Sequence, residues 1–183
     1  MEIKFSKYRI YLKYPFGISR GSNNWYDIIF IYIHDGEIIG RGEAAPSKRY
    51  GETTEKVFTA LKKIQLPIEY SDRDDIWNYI KPQLSGIKAL EAAFSMALWD
   101  WWGQKCKQPV YEILGLKNSK LPNTSFTIAI GDLEDIGQKI EQAEPYHILK
   151  VKLGTQKMDK EIITEIRLHT DKVIRVDANE GWD

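Results

Sequence analysis

An α+β unit followed by the opening of a parallel α/β sheet is the fold class this sequence predicts. Three observations carry it. The first third alternates apolar and polar residues around an Asp-Gly turn. The middle carries helical apolar stripes and one helix that is apolar nearly all round. From Leu121-Pro122 onward, strands and helices alternate with short connections.

Tyr8, Ile10 and Leu12 alternate with Arg9, Tyr11 and Lys13, the pattern of a half-buried strand. Pro15 to Asn24 reads as a loop, and Tyr26 to Ile33 as a second strand. Asp35-Gly36 marks a hairpin turn into a third strand, Ile38 to Glu43. Gly40 and Gly42 within that strand predict close backbone approach or a bulge. Glu43 reads as structural.

Helices come next. Gly51 to Ile64 lines up Val57, Leu61 and Ile64. Ser71-Asp72-Arg73-Asp74 opens a helix carrying Ile76, Trp77 and Ile80. Ala89 to Trp102 is expected to be buried between two layers. Pro109 and Gly115 bracket a short helix. Then follow a strand from Ser125 to Ile130, a helix capped by Asp132, a strand from His147 to Leu153, a helix from Met158 to His169 and a strand from Val173 to Ala178. The division predicted is residues 1–121 for the α+β unit and 122–183 for the β-α-β-α-β unit.

Composition narrows the function classes. The 183 residues hold 26 Lys+Arg and 26 Asp+Glu, so the net charge is zero and a nucleic-acid partner, which would leave a basic excess, is not expected. The aliphatic-aromatic run Ile28 to Ile33 is far short of the ~20 residues of a membrane span. The single Cys106 excludes an intrachain disulfide and reads as a buried small residue. The start, MEIKFSKYRI, has no apolar signal core, so a cytoplasmic protein is expected. Most of the six tryptophans read as core, with Trp182 the exception.

Buried parallel strands should be continuously apolar, and two of these are not. In Ile148–Leu153, Lys150 and Lys152 share one face and Leu149, Val151 and Leu153 the other. In Val173–Asn179, Arg175, Asp177 and Asn179 share a face, with Ile174, Val176 and Ala178 opposite, under the helices. Thr127 lies opposite Phe126 and Ile128. The polar residues gather at the strands' C-terminal ends, where α/β folds place active sites. One Lys-x-Lys alone reads as a solvated strand edge; two successive strands with the same pattern point to a site.

At these residues the sequence resembles the muconate-lactonizing branch of the enolase superfamily. Lys150-Val151-Lys152 matches its second-strand Lys-x-Lys, and Asp177-Ala178-Asn179-Glu180-Gly181-Trp182 its third-strand Asp-Ala-Asn-x-Gly-Trp. Gly40-Arg41-Gly42-Glu43-Ala44-Ala45-Pro46 resembles its Gly-x-Gly-Glu-x-x-Pro, and Ala92 to Asp100 its long helix. Within the branch the dipeptide epimerases look nearest. Pro15 to Gly21 is similar to their first specificity loop, whose arginine, here Arg20, meets a substrate side-chain carboxylate; Tyr50-Gly51-Glu52-Thr53 is similar to their second, and Thr124 to Thr127 to their first barrel strand. Glu180 stands where a glutamine is frequent, and Leu116 where a second glycine is common.

The resemblance implies an α+β capping domain (antiparallel meander plus helices) followed by the first three strands of a modified (β/α)7β TIM-like barrel. It implies Mg²⁺ and the epimerization of a dipeptide by 1,1-proton transfer at the α-carbon of its C-terminal residue. Lys152 is then the catalytic base, with Lys150 second to it or on the substrate carboxylate. Asp177 is the metal ligand and Asn179 orients the metal's surroundings, unless it simply caps the strand. Arg20, Tyr50 and Thr127 contact substrate; a loop arginine or a packing tyrosine is the plainer alternative for the first two. Related activities, muconate cycloisomerase or o-succinylbenzoate synthase, stay open, as does a homo-oligomer. Further metal carboxylates and the opposing lysine belong to later strands that this sequence does not hold. By itself, therefore, the chain is expected to be a truncated, inactive fragment.

The chemistry explains the residue types. Loss of a proton α to a carboxylate makes a doubly charged enolate, which a divalent cation offsets. Mg²⁺ takes hard oxygen ligands, so an aspartate suits it. A lysine base must give up its own proton first, and a second cation such as Lys150 disfavours the charged form.

Overall fold

Two strands much longer than the sequence pattern suggests open the chain. In the computed structural model, which describes residues 1–84, 86–117, 121–155 and 157–182, β1 runs Glu2–Ile18 and β2 Gly21–Asp35. Pro15 to Asn24, expected as a loop, is therefore nearly all hairpin, with only Ser19 and Arg20 in the turn. Tertiary pairing decides this: Gly17 forms an antiparallel bridge with Ile130, whose N–H reaches the Gly17 carbonyl at 3.0 Å. β3 (Ile38–Ala44) pairs antiparallel with β2, and the sheet order is β1-β2-β3.

The chain packs as two units, Met1–Ile10 with Tyr26–Ser119, and Tyr11–Trp25 with Lys120–Asp183. The hairpin tip thus groups with the second unit.

In the first unit four helices follow the sheet: α1 (Thr54–Leu61), α2 (Arg73–Ile80), α3 (Lys88–Cys106) and α4 (Val110–Ile113). Thr53 and Asp72 cap α1 and α2 through their side-chain oxygens. The core joins Ile29, Ile31 and Ile33 of β2 to Leu90, Phe94, Leu98 and Trp101 of α3. α3 lies directly on β3: a Cβ at Gly40 would overlap the Ala97 carbonyl oxygen, and one at Gly42 that of Ala93. The two glycines serve close helix–strand approach, not a bulge. Asp35, ending β2, accepts from Trp101 Nε1 (3.0 Å) and Tyr70 Oη (3.1 Å), so the aromatic polar tips are satisfied.

Four expectations of burial are corrected. Tyr8 and Ile10 are exposed, because β1 meets the core earlier, through Ile3 and Phe5. α3 is buried on one side only; Met96 is 45% exposed, and the apolar run continues past the face that meets β3. Cys106 is exposed, being the last residue of α3, beyond the packed stretch. Of the tryptophans Trp101 is fully buried and Trp77 and Trp102 pack against the core, but Trp25 is exposed; Trp182, expected as the exception, is exposed.

The second unit holds β4 (Ser125–Ile128), α5 (Ile136–Gln142), β5 (Ile148–Lys152), α6 (Asp159–His169) and β6 (Val173–Asp177). β4, β5 and β6 pair parallel in that order. Leu149, Val151 and Leu153 pack with Ile136, Ile140, Ile162 and Ile166 of the two helices, and Ile174 leans on that cluster. Val176, expected under the helices, stays 49% exposed. Among the described residues β6 stands at one end of the order β4-β5-β6, and α5 and α6 gather over β5. No helix among the described residues is long and apolar enough to cross a membrane.

Candidate functional site

Strand alternation forces the two lysines of β5 onto one side. With Leu149 and Val151 committed to the helices, Lys150 and Lys152 must point the other way. Parallel register then sets Thr127 beside Lys150 beside Arg175, and Lys152 beside Asp177. The result is a three-charge cluster at the ends of β5 and β6. Lys150 Nζ lies 2.8 Å and Lys152 Nζ 2.9 Å from the same Asp177 Oδ2.

The two lysines differ in surroundings. The Lys152 side chain is 9% exposed and that of Lys150 is 41% exposed. A buried ammonium is costly unless its hydrogens find partners. Lys152 donates to Asp177 and, at 2.9 Å, to Asn179 Oδ1, and it lies 5.9 Å from the centre of the Phe16 ring. The Lys150 ammonium, first, and then that of Lys152 hold the Asp177 carboxyl far below the usual carboxylate range, helped by the Asn179 N–H on Oδ1. Two cations on one carboxylate leave one positive charge over.

The hairpin tip meets this cluster through backbone as well as side chains. Ser19 Oγ and Arg20 Nη1 each donate to the Asn179 carbonyl at 3.0 Å. Arg20 Nη1 also reaches Glu180 Oε2 at 2.8 Å. Asn179 and Glu180 are both left-handed, with φ of 49° and 65°. At Gly181 an added Cβ would come within 2.8 Å of Ser19 Cβ and 2.7 Å of Gly154 Cα, so the exits of β5 and β6 and the tip converge where side chains have no room. Asp159 holds the two exits together. It accepts from the Gly154 and Thr155 amides, from Thr155 Oγ1 (2.6 Å) and from Trp182 Nε1 (2.7 Å). Burial pushes the Asp159 carboxyl up, but the bonds from Thr155 and Trp182 prevail and hold it below its ordinary value.

Of the residues singled out in the sequence, Lys150, Lys152, Asp177, Asn179 and Arg20 come together in the second unit. Thr127 sits in line with Lys150 on β4. Tyr50 lies in the first unit and is 68% exposed, lining a cavity of about 440 Å³ with Glu43, Ser47, Glu52 and Lys88. Glu52 was not singled out. It is buried and accepts from the first amides of α3. Glu180, Phe16 and Asp159 were likewise missed as partners. Only Glu180 left a signal, its departure from the usual glutamine. Among the described residues no three His, Cys, Asp or Glu side chains form a metal-binding group.

Residues 1–115 match the family of the mandelate racemase / muconate lactonizing enzyme N-terminal domain. The chain belongs to the mandelate racemase / muconate lactonizing enzyme family of the enolase superfamily. It is 37% identical to the L-Ala-D/L-Glu epimerase of Bacteroides thetaiotaomicron, over 100% of this chain and 48% of that protein. Two family structures superpose well. The L-Ala-D/L-Glu epimerase of Bacillus subtilis, in a substrate-liganded complex, gives a TM-score of 0.85 at 26% identity over 100% of this chain and 54% of that one. The dipeptide epimerase of Cytophaga hutchinsonii, complexed with Mg and the dipeptide D-Ala-L-Val, gives 0.84 at 29% identity over 99% and 52%. The chain spans about half the length of the curated relatives it matches.

Proposed function

We propose that the whole protein is a cytoplasmic isomerase that epimerizes a dipeptide by 1,1-proton transfer at the α-carbon of its C-terminal residue. The observation that carries this reading is the pair of ammonium groups, Lys150 and Lys152, meeting one carboxylate at the C-terminal ends of parallel strands. In this reading residues 1–121 are the capping domain, and residues 122–183 the first strands of the barrel.

Lys152 Nζ removes the α-proton. Its bonds to Asp177 Oδ2 and Asn179 Oδ1 fix where the nitrogen points, and the Phe16 ring shields one side from water. Lys150, more exposed, takes the main-chain carboxylate of the substrate, which the surplus positive charge of the cluster favours. Thr127, one strand over, and Arg20 contact the rest of the dipeptide. Asp177 and Asn179 offer hard oxygens of the kind Mg²⁺ takes, so the residues fit it as part of a ligand set, with Asp177 the direct ligand. Mg²⁺, when bound, offsets the negative charge that develops on the carboxylate oxygens.

The test is α-proton exchange from L-Ala-L-Glu in D₂O with Mg²⁺ present, in the whole protein. Lys152→Ala is expected to abolish exchange from at least one epimer. Exchange at the parent rate would mean that another group is the base.

A further inference from the structure

We propose that Glu180 is a specificity-determining residue. It serves as an internal carboxylate on Arg20, so that an acidic substrate side chain must compete with it while an uncharged one need not. The proposal rests on the dipeptide reading above and names the class of side chain accepted: uncharged C-terminal residues alongside acidic ones.

Three observations support it. First, Arg20 Nη1 already holds Glu180 Oε2 at 2.8 Å and the Asn179 carbonyl at 3.0 Å. A planar guanidinium directed this way has fewer hydrogens left for a second carboxylate. Second, the charges separate into two groups. Lys150, Lys152 and Asp177 keep one surplus positive charge, whereas Arg20 and Glu180 balance each other. The attraction for a substrate anion thus concentrates at the lysines, where the main-chain carboxylate goes, and not at the arginine. Third, Glu180 occupies a left-handed conformation, φ 65°, next to a second left-handed residue. That backbone favours glycine or asparagine and disfavours glutamate. The side chain this backbone carries reaches Arg20. The pair is also joined to the reacting end of the site. The Asn179 whose carbonyl receives Arg20 uses its amide oxygen to receive Lys152.

Arg20 and Glu180 are both exposed, so their pair is the kind an incoming ligand displaces at a cost of only a fewfold in affinity. Glu180 therefore tunes acidic dipeptides without excluding them.

The experiment compares L-Ala-L-Glu with its uncharged isostere L-Ala-L-Gln, by calorimetric binding and, separately, by α-proton exchange, in the whole protein. Glu180→Gln is expected to raise the Glu/Gln affinity ratio about fivefold. Glu180→Asn, a residue suited to the left-handed backbone, should shift it the same way. Both shifts should vanish in an Arg20→Met background. An unchanged or lowered ratio overturns the proposal, and so does a rise that persists without Arg20. Binding of both dipeptides without proton exchange would sink the epimerase reading alone. Binding of neither would sink both.

Discussion

Glu52→Ala is expected to destabilise the first unit by about 2–3 kcal/mol. α3 starts after Ile87, which offers no side-chain cap. The Glu52 carboxylate fills that role from 36 residues away in sequence, accepting from the Lys88 amide at 2.6 Å and, more weakly, from the Ala89 amide at 3.4 Å. Glu52 is 7% exposed, so water does not readily replace it. Loss of an N-cap acceptor costs about 1 kcal/mol. A carboxylate at a partly buried helix N-terminus adds up to ~2 kcal/mol through the helix dipole. An orphaned buried amide costs about 1–3 kcal/mol. These contributions overlap, which places the sum near the lower half of their total. Glu52→Gln keeps an acceptor oxygen and loses only the charge, so it should cost about 1 kcal/mol. Urea titration followed by far-UV circular dichroism reads both variants. A loss under ~0.5 kcal/mol for Glu52→Ala, or equal losses for the two, would refute the capping argument.

Gly42→Ala should cost about 3 kcal/mol or more, because its methyl group meets the Ala93 carbonyl and only displacement of α3 from β3 relieves it; an unshifted urea midpoint would contradict this. Asp177 has a folded-state pKa held below its unfolded value, so its stabilising contribution is present above about pH 4 and is lost as pH falls through the folded value. The stability advantage of the native chain over Asp177→Asn should therefore be flat above about pH 5 and shrink in acid; growth on acidification would reverse the sign and refute it. Asp159→Ala should loosen the β5 and β6 exits by about 2 kcal/mol and red-shift Trp182 fluorescence, since it removes four hydrogen bonds; an unchanged spectrum would argue against the clamp.

Much of this protein was legible in its residues taken in order. The parallel β-α-β-α-β run is written in Leu149, Val151, Ile162, Ile166 and Ile174, because alternation and helical period are local properties that burial then rewards. The shared side of Lys150 and Lys152 follows from the same alternation, and their pairing with Asp177 from parallel register. The close approach at Gly40 and Gly42 was readable too, as a strand that gives up its side chains has something pressed against it. The hairpin tip was not. Pro15, Gly17 and Gly21 carry loop signals, and only the bridge from Gly17 to Ile130 and the seat of Ser19 against Gly154 and Gly181 make the segment extended. Nor could sequence tell that Glu52 caps a helix 36 residues on, or that Arg20 takes Glu180 across 160 residues. Such pairings depend on which backbones the core brings within hydrogen-bond reach. Side-chain pattern determines which face of each strand or helix is buried; three-dimensional packing decides which charged group meets which, because a hydrogen bond acts only over about 3 Å and the sequence carries no such distance.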